Sequence, residues 1–455
     1  MDRTATLFMG TFNSEYFLRD NTVCKLPSFN HEEANAIISV MDELLFVFSR
    51  DDNDLVITRI PMDAAHKNYL SELGIKFNNN DRPVCSLKDV NNFRVPTQIC
   101  KLLINSNHGS DSYFQKIISP NLNFSPYAII PETHNFCDFY GLKKNFPDIE
   151  TVKKVNSKLY SYTITEDLFG YRLGIIVESA DELKSAGSSL LDKSPFLLKD
   201  LFGVSGTGNI LIESLNRLEL LVRQCKKQEQ KGKRTQFLIQ PLLKKEVDFS
   251  CHLEVQSNGV VNFLSVQIMR NKGFSFSGMK TAEAELIRFL EASDYFACIS
   301  KVGRRLFEDG YYGFVCIDSM ILEDGVIVPI LEINARKSMG LINYQIEQLF
   351  SMYAKTVEMI TIDLRVPKNI EFEQFLNEMI RENILFTKNN AFGILPLTAN
   401  SFHINSKLVD DETNNPSHVM GRLYLTLVGG NDKEIDKVHR KLEYIFNKLD
   451  LNRFN

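Results

Sequence analysis

Two carboxylates and one carboxamide follow each other through the apolar stretch 313–340 in a pattern that suits metal chemistry. Asp318 lies inside one apolar run, and Glu332 and Asn334 lie at the end of the next. Carboxylate and amide oxygens are hard ligands that suit Mg²⁺, which takes few protein ligands and completes its shell with water and phosphate. The alternative is a sheet rim with solvated polar residues. We favour the metal site, because Glu332, Asn334 and Arg336 come at the end of one apolar strand-like run and Asp318 lies on the preceding one.

Two β-strands joined by a turn must position these side chains. The apolar runs Phe314–Leu322 and Val326–Ile333 flank residues 323–325, Glu-Asp-Gly, which have turn chemistry. A three-residue loop would place Asp318 and Glu332 opposite each other on one face of the sheet. A two-residue Asp-Gly loop would place them on opposite faces, and the sequence leaves both arrangements open. Since alternate strand residues share a face, residues 332, 334 and 336 project together if the strand persists that far.

A glycine-rich loop follows an earlier strand-like run. The run ends at Lys199, and the loop 203–208 contains three glycines, a serine and a threonine. Such a loop lets backbone N–H groups approach phosphates closely. It is not a Walker A loop, which would need Lys at Asn209, and it is not a dinucleotide fingerprint, which would need Gly at Leu211. We predict a hairpin tip that contacts phosphate; the alternative is a simple tight turn.

The next strand-like runs predict an antiparallel sheet beside this loop. Residues Gln236–Pro241 form an apolar strand that ends at a proline, an edge whose backbone can face a purine base. Asp248 follows, and then two further alternating runs. The glycine-containing stretch 271–280 is predicted to be a mobile loop.

The bulk composition narrows the class of protein. The chain has 455 residues, 44% hydrophobic and 24% charged, with a formal net charge of −5. This predicts a soluble protein of two or three domains. The absence of a long basic cluster disfavours nucleic acid as a partner, and the absence of a membrane-length apolar run disfavours a membrane. Eight cysteines without a C-x-x-C pair, and no signal-peptide pattern, favour a cytoplasmic location without a zinc site.

Changes in the pattern of apolar and polar residues along the chain predict three sections. Residues 1–150 have the pattern of an α/β unit, in which the apolar run Glu43–Phe48 is predicted to be a short buried strand. A second section runs from 151 to 365. Residues 366–455 are predicted to form a small α+β domain.

The order of these pieces resembles the ATP-grasp superfamily of ligases. The resemblance covers roughly 150–360, and the segment LEINARKSMG together with Asp318 is its most specific part, followed by PFLLKDLFGVSGTGN. The order of domains and the segments GILPLT and GRLYLTLVGG also resemble a narrower group. That group comprises pheganomycin-type peptide ligases and related carrier-protein amino-acid ligases of antibiotic biosynthesis.

The resemblance implies an ATP-grasp fold of mixed α/β and α+β class, in which two α+β subdomains clasp ATP. The lid subdomain would span about 155–235 and the metal-binding subdomain about 236–365. Residues 1–150 would form a pre-ATP-grasp α/β domain before them, and residues 366–455 would follow as the small domain.

The resemblance also implies roles for individual residues. The phosphate-binding lysines would be Lys158 and Lys199, with Lys199 and Arg336 as catalytic residues. The lid loop over the triphosphate would comprise Gly203, Val204, Ser205, Gly206, Thr207 and Gly208. The adenosine contacts would be Gln240, which stands where the family often has Glu, with Leu243 and Asp248. The metal ligands would be Asp318, Glu332 and Asn334. The substrate is predicted near Gln267, Arg270, Ser338, Met339 and Gly340.

The implied activity is an ATP-dependent carboxylate–amine ligation through an acyl phosphate, with ADP and phosphate as products. The cofactors would be ATP and Mg²⁺, with Mn²⁺ as a substitute. The partners would be a small carboxylate and an amine, such as an amino acid or peptide, and a homodimer is expected. One alternative is the loading of an amino acid onto the thiol of an acyl carrier protein. Another is an ATP-binding module without catalysis.

Overall fold

The computed structural model describes residues 3–27, 31–106, 113–203, 208–272, 275–352, 357–389, 392–408, 417–429 and 432–454. The strands are β1 Thr6–Met9, β2 Leu55–Val56, β3 Asn78–Asn79, β4 Asn123–Pro126, β5 Ile175–Val177, β6 Phe196–Asp200, β7 Asn209–Ile212, β8 Phe237–Pro241, β9 Lys245–Val255, β10 Val261–Lys272, β11 Ser275–Thr281, β12 Gly313–Leu322, β13 Ile327–Asn334, β14 Val357–Pro367, β15 Gly393–Pro396, β16 His418–Val428 and β17 Asn452–Arg453.

The helices are α1 Glu15–Leu18, α2 Glu32–Ser39, α3 Ala64–Glu72, α4 Asn91–Arg94, α5 Ile99–Ser106, α6 Tyr113–Ile117, α7 Pro131–Tyr140, α8 Ile149–Val155, α9 Lys158–Phe169, α10 Ala180–Leu191, α11 Leu215–Glu229, α12 Ala284–Ala292, α13 Tyr295–Glu308, α14 Met339–Phe350, α15 Phe372–Arg381, α16 Asn400–Lys407 and α17 Asp432–Lys448. A 3₁₀ helix covers Met41–Phe48.

The first four strands form a parallel sheet in the order β3-β2-β1-β4, which we call the N-terminal sheet. The prediction of a strand at Glu43–Phe48 is wrong, because these residues lie in the 3₁₀ helix. A short apolar run that is buried throughout has no periodicity that distinguishes strand from helix. Here every residue of the run is buried, and the carboxylate of Glu43 is directed to the start of α16.

The buried carboxylate of Glu43 should make stability depend on pH. It accepts hydrogen bonds from the amides of Ala399 at 2.8 Å and Asn400 at 3.1 Å, and burial raises the pKa of Glu43 to about 8. Between the ordinary pKa of a glutamate and about pH 8, the folded protein therefore keeps the Glu43 proton, whereas the unfolded chain has released it. The stability of the folded state is therefore highest at acidic pH and falls as the pH rises toward 8. A tenfold change in proton affinity corresponds to about 1.4 kcal/mol. We expect the free energy of unfolding to fall by a few kcal/mol across this range.

Urea unfolding at several pH values would measure this effect. Glu43→Gln keeps an acceptor oxygen for the helix amides and cannot ionise, so its stability should vary less with pH than that of the wild type. Glu72→Gln changes an exposed glutamate of α3 in the same way and serves as the control. Parallel pH profiles for the wild type and Glu43→Gln would contradict the prediction.

The second sheet, which we call the lid sheet, is antiparallel in the order β5-β8-β6-β7. Helices α10 and α11 pack beside it, and their apolar residues share a separate hydrophobic core with the strands. Strand β8, Phe237–Pro241, belongs to this sheet although the sequence analysis places the end of the lid subdomain at about residue 235. Lys199 lies in β6, between β8 and β7 of this sheet.

The remaining strands form one nine-stranded sheet, the large sheet. Its order is β13-β12-β9-β10-β11-β14-β16-β15, and β17 pairs with β14. Strands β15 to β17 come from the section after residue 366, and β14 crosses that position, so the C-terminal section continues the large sheet. One hydrophobic core extends from the N-terminal sheet through the large sheet to α17.

Among the described residues, no helix is both long enough and apolar enough to cross a membrane.

Candidate active site

The hairpin of β12 and β13 brings the predicted metal ligands together. Asp318 pairs directly with Glu332, and Asn334 pairs with Cys316 two positions away, so all three side chains share one face of the sheet. The turn has three residues, since the Leu322 amide donates to the carbonyl of Val326 at 2.9 Å. Its last residue, glycine, has a φ of +80°, a conformation that favours glycine. The arrangement with both carboxylates on one face is therefore the observed one.

The same face continues across the neighbouring strands as a row of polar side chains. Asp318 pairs with Ser250 of β9, and Ser250 pairs with Gln267 of β10. Ser250 and Gln267 are buried, and the Ser250 hydroxyl and the Gln267 Nε2 have no hydrogen-bond partner among the residues that the structure describes. The carboxylate pair is thus continued by a row of polar side chains across β9 and β10.

The two carboxylates differ in their surroundings. Burial, and then the charge of Glu332, raise the pKa of Asp318 to about 7. Asn334 Nδ2 donates to Asp318 Oδ2 at 3.1 Å, and Glu332 Oε1 accepts from Lys158 Nζ at 2.8 Å. Two adjacent carboxylates repel each other when both are ionised, so a bound cation would stabilise the ionised pair.

Lys158 connects the large sheet to the lid loop. It is the first residue of α9, which Ser157 caps by accepting from the Tyr160 amide at 3.1 Å. Its buried ammonium donates to the carbonyl of Gly203 at 3.0 Å as well as to Glu332. An ammonium has three donors, so one remains for a ligand.

Lys199 faces the same group of charges from the lid sheet. Burial lowers its pKa to about 8, and the charges of Glu332, Lys158, Asp318 and Asp248 all act on it. It pairs with Asn209, the first residue of β7. One position further toward the loop, the Asp200 amide donates to the Gly208 carbonyl at 2.8 Å, and Gly208 lies against Gly203. The described ends of the predicted loop, Gly203 and Gly208, meet there. Its other predicted residues, Val204, Ser205, Gly206 and Thr207, lie outside the described residues.

Arg336 lies next to this cluster with all five N–H groups engaged. Nε and one N–H of Nη2 contact the Glu15 carboxylate, and the other N–H of Nη2 donates to Asn334 Oδ1 at 3.2 Å. Nη1 donates to the Lys337 carbonyl at 3.0 Å and to the Tyr127 hydroxyl at 3.4 Å. Glu15 and Tyr127 come from the N-terminal section and were missed by the sequence analysis, since neither belongs to a recognisable motif.

The residues predicted to contact adenosine lie where the chain passes from the lid sheet to the large sheet, and we call the region between these two sheets the cleft. Gln240 is buried in β8, and its Nε2 donates to the Leu173 carbonyl at 3.2 Å. Leu243 lies half-buried between β8 and β9. Asp248 lies in β9, where it forms an ion pair with Lys245 and accepts from Asn271 Nδ2 at 2.9 Å.

The residues predicted near the substrate fall into two groups. Ser338 caps α14 by accepting from the Leu341 amide at 3.2 Å, and Met339 and Gly340 begin the helix. A side chain at Gly340 would collide with the ring of His252, so this glycine permits close contact between helix and sheet. Gln267 accepts from Asn343 of α14 at 2.8 Å. Arg270 is more exposed and forms an ion pair with Glu358 of β14.

The donor set at the hairpin fits Mg²⁺. Within the described ranges, no group of three or more His, Cys, Asp or Glu side chains is placed to hold a metal ion. Mg²⁺ is commonly bound through one or two carboxylates, with water and substrate phosphate completing the shell. Asp318, Glu332 and the Asn334 amide satisfy that requirement.

No known family model matches the sequence, and no curated protein matches it at a significant level. Solved structures do share its fold. A biotin carboxylase–beta-gamma-ATP complex from Campylobacter jejuni is 11% identical with a TM-score of 0.53, and the match covers 98% of this chain and 92% of that one. An ADP complex of N5-carboxyaminoimidazole ribonucleotide synthetase is 12% identical with a TM-score of 0.51, and the match covers 99% of each chain.

A third structure is the biotin carboxylase domain dimer of Hydrogenobacter thermophilus 2-oxoglutarate carboxylase, in complex with MgADP, ADP and bicarbonate. It is 11% identical with a TM-score of 0.51, and the match covers 100% of this chain and 92% of that one. At these identities the likeness concerns the fold. The chain has the mixed α/β ATP-grasp fold that the sequence predicts.

Proposed function

We propose that this protein is an ATP-dependent carboxylate–amine ligase that forms an amide bond through an acyl phosphate. The observation that carries the proposal is the charge cluster at the cleft. Asp318 and Glu332 lie opposite each other, and Lys158 joins Glu332 to the lid loop at Gly203. Three structures that share this fold were solved with ATP or ADP, which supports a nucleotide in the same cleft.

The residues of the cluster suit the activation of an acid. A carboxylate is a poor electrophile, and its attack on the γ-phosphorus of ATP brings two anions together. Mg²⁺ held by Asp318, Glu332 and Asn334 would neutralise part of that charge. Lys199 and the free donor of Lys158 would bind the phosphate oxygens. The acid oxygen bonds to phosphorus as the bond to ADP breaks, which leaves an acyl phosphate.

The second step joins the amine to the activated acid. The amine nitrogen attacks the acyl carbon, phosphate leaves, and the nitrogen releases its proton to solvent. Arg336 would stabilise the negative oxygen that forms at the acyl carbon. Its longest contact, from Nη1 to the Tyr127 hydroxyl, is the one most readily exchanged for a ligand. Water must be kept from the acyl phosphate, because it would otherwise hydrolyse this intermediate.

A screen of ADP release tests the proposal. The protein would be incubated with ATP, Mg²⁺ and pairs of amino acids or short peptides, and ADP, phosphate and amide would be quantified together. We expect equal amounts of the three, and only when both an acid and an amine are present. Dipeptides or longer peptides among the products would support the narrower role of peptide-bond formation, as expected for an enzyme of secondary metabolism.

The competing functions give different results in the same screen. ADP release with a mass increase on an added acyl carrier protein would identify thiol loading. MgATP binding by calorimetry without ADP release in any mixture would identify a binding module without catalysis. Absence of both binding and turnover would refute the ligase proposal.

A further inference from the structure

The segment 14–27 leaves the N-terminal section and ends inside the lid. Cys24 and Leu26 are buried in the hydrophobic core of the lid. The Cys24 amide donates to the Arg234 carbonyl at 2.8 Å, and the Arg234 amide donates to the Thr22 carbonyl at 2.9 Å. The segment is therefore attached to the lid by side-chain packing and by backbone hydrogen bonds.

Helix α1 lies in this segment, and a buried charge pair is found at each of its ends. Glu15, its first residue, pairs with Arg336, and Arg19, which directly follows its last residue, pairs with Asp200 at the end of β6. The four side chains are between 4% and 12% exposed. Breaking a buried ion pair is costly, because the remaining charge is left without a partner. The segment therefore holds both walls of the cleft by contacts that resist separation.

We propose that residues 14–27 form a strap that fixes the position of the lid sheet relative to the large sheet. Glu15 is the positioning residue for Arg336. Arg19 is the positioning residue for the strand of Lys199, because Asp200 directly follows Lys199. This inference rests on the ligase function proposed above.

Glu15 supports Arg336 and does not occupy the place of the acid substrate. Its carboxylate accepts from Nε and Nη2 of Arg336 and from the Ser14 hydroxyl, the last at 2.9 Å. If a substrate carboxylate took over Arg336, Glu15 would be left buried without a charged partner. Nη1, whose contact with the Tyr127 hydroxyl is long, can turn to a ligand while Glu15 holds the other side of the guanidinium.

Glu15→Gln tests the strap, since it removes the charge and keeps the shape and one acceptor oxygen. We expect kcat to fall about 10- to 100-fold, as for lost supporting partners of an active site, while the KM for ATP changes little. The Tm should also fall, because the buried guanidinium of Arg336 loses its charged partner. In an Arg336→Lys background the same substitution should have little further effect, because the partner is already altered. Arg19→Gln should instead raise the KM for ATP. Glu32→Gln, on the exposed face of α2, is the control and should leave the kinetics unchanged.

Two kinetic results would overturn the strap. One is wild-type kinetics in Glu15→Gln. The other is a lower KM for the acid with unchanged kcat in that variant, which would identify Glu15 as an occupant of the acid site.

If the wild-type protein releases no ADP in any mixture, the ligase proposal fails. Amide hydrogen exchange then tests separately whether the strap holds the two sheets. Glu15→Gln should speed exchange of the Arg336 and Lys337 amides, which donate to the carbonyls of Asn334 and Tyr127. Arg19→Gln should speed exchange at the end of β6. Unchanged exchange at both places would overturn the inference.

Discussion

Asp318→Asn should abolish ATP-dependent turnover and leave the protein at least as stable as the wild type. Burial and the charge of Glu332 raise the pKa of Asp318 to about 7, so the ionised carboxylate is unfavourable in the folded protein. Asparagine removes that charge, and its carbonyl can still accept from Asn334. We expect the loss of a charged metal ligand to lower kcat by more than the roughly 100-fold that a lost supporting partner costs. ADP release and thermal unfolding of the same preparation measure the two effects.

Two further variants sharpen the comparison. Asp324→Asn makes the same change in the turn of the same hairpin, where the side chain is exposed, and should alter neither activity nor stability. Glu332→Gln should lose activity like Asp318→Asn but also lose stability, because the buried ammonium of Lys158 loses its charged partner. Mg²⁺-dependent turnover at the wild-type rate in Asp318→Asn would refute the metal assignment.

The sequence could not decide whether the turn of the hairpin has two or three residues, and hence whether Asp318 and Glu332 lie on the same face of the sheet. Asp324-Gly325 is by itself a two-residue turn motif, and only the hydrogen bond between Leu322 and Val326 fixes a three-residue turn. The register also shifts between Asp318 and Met320, which no local pattern indicates. The alternation of residues along each strand was predictable from sequence. The pairing of the strands depends on the turn and the bulge together.

Contacts between distant segments were the least predictable part of the site. Glu332 and Lys158 are 174 positions apart, and Arg336 and Glu15 are 321 positions apart. Lys158 was named because a family resemblance pointed to it. Glu15 had no such indication, since a glutamate at the start of a four-residue helix is ordinary in sequence. Its importance follows only from the fold, which buries it against the one arginine that the hairpin contributes.

Lys199→Met should weaken MgATP binding and turnover strongly without destabilising the protein. Burial lowers the pKa of Lys199 to about 8, so the charged ammonium is unfavourable in the folded state, and methionine relieves that cost while filling the space of the lysine stem. A charge about 4 Å from a phosphate contributes on the order of 4 kcal/mol at a partly buried site. We therefore expect at least about a 100-fold loss in kcat/KM for ATP, at about 1.4 kcal/mol for each factor of ten.

Calorimetry with MgATP, ADP release and thermal unfolding together measure this prediction. Lys193→Met, in the exposed turn before β6, makes the same change outside the cleft and should behave like the wild type. Nucleotide affinity and turnover within twofold of the wild type in Lys199→Met would show that the lid sheet does not bind phosphate through this residue.

Asp318 and Lys199 both carry charges that the folded protein would be more stable without. Buried charges of this kind are retained where a ligand of opposite charge binds to them. Loss of activity with unchanged stability is therefore the result that distinguishes a ligand-binding site from a structural ion pair.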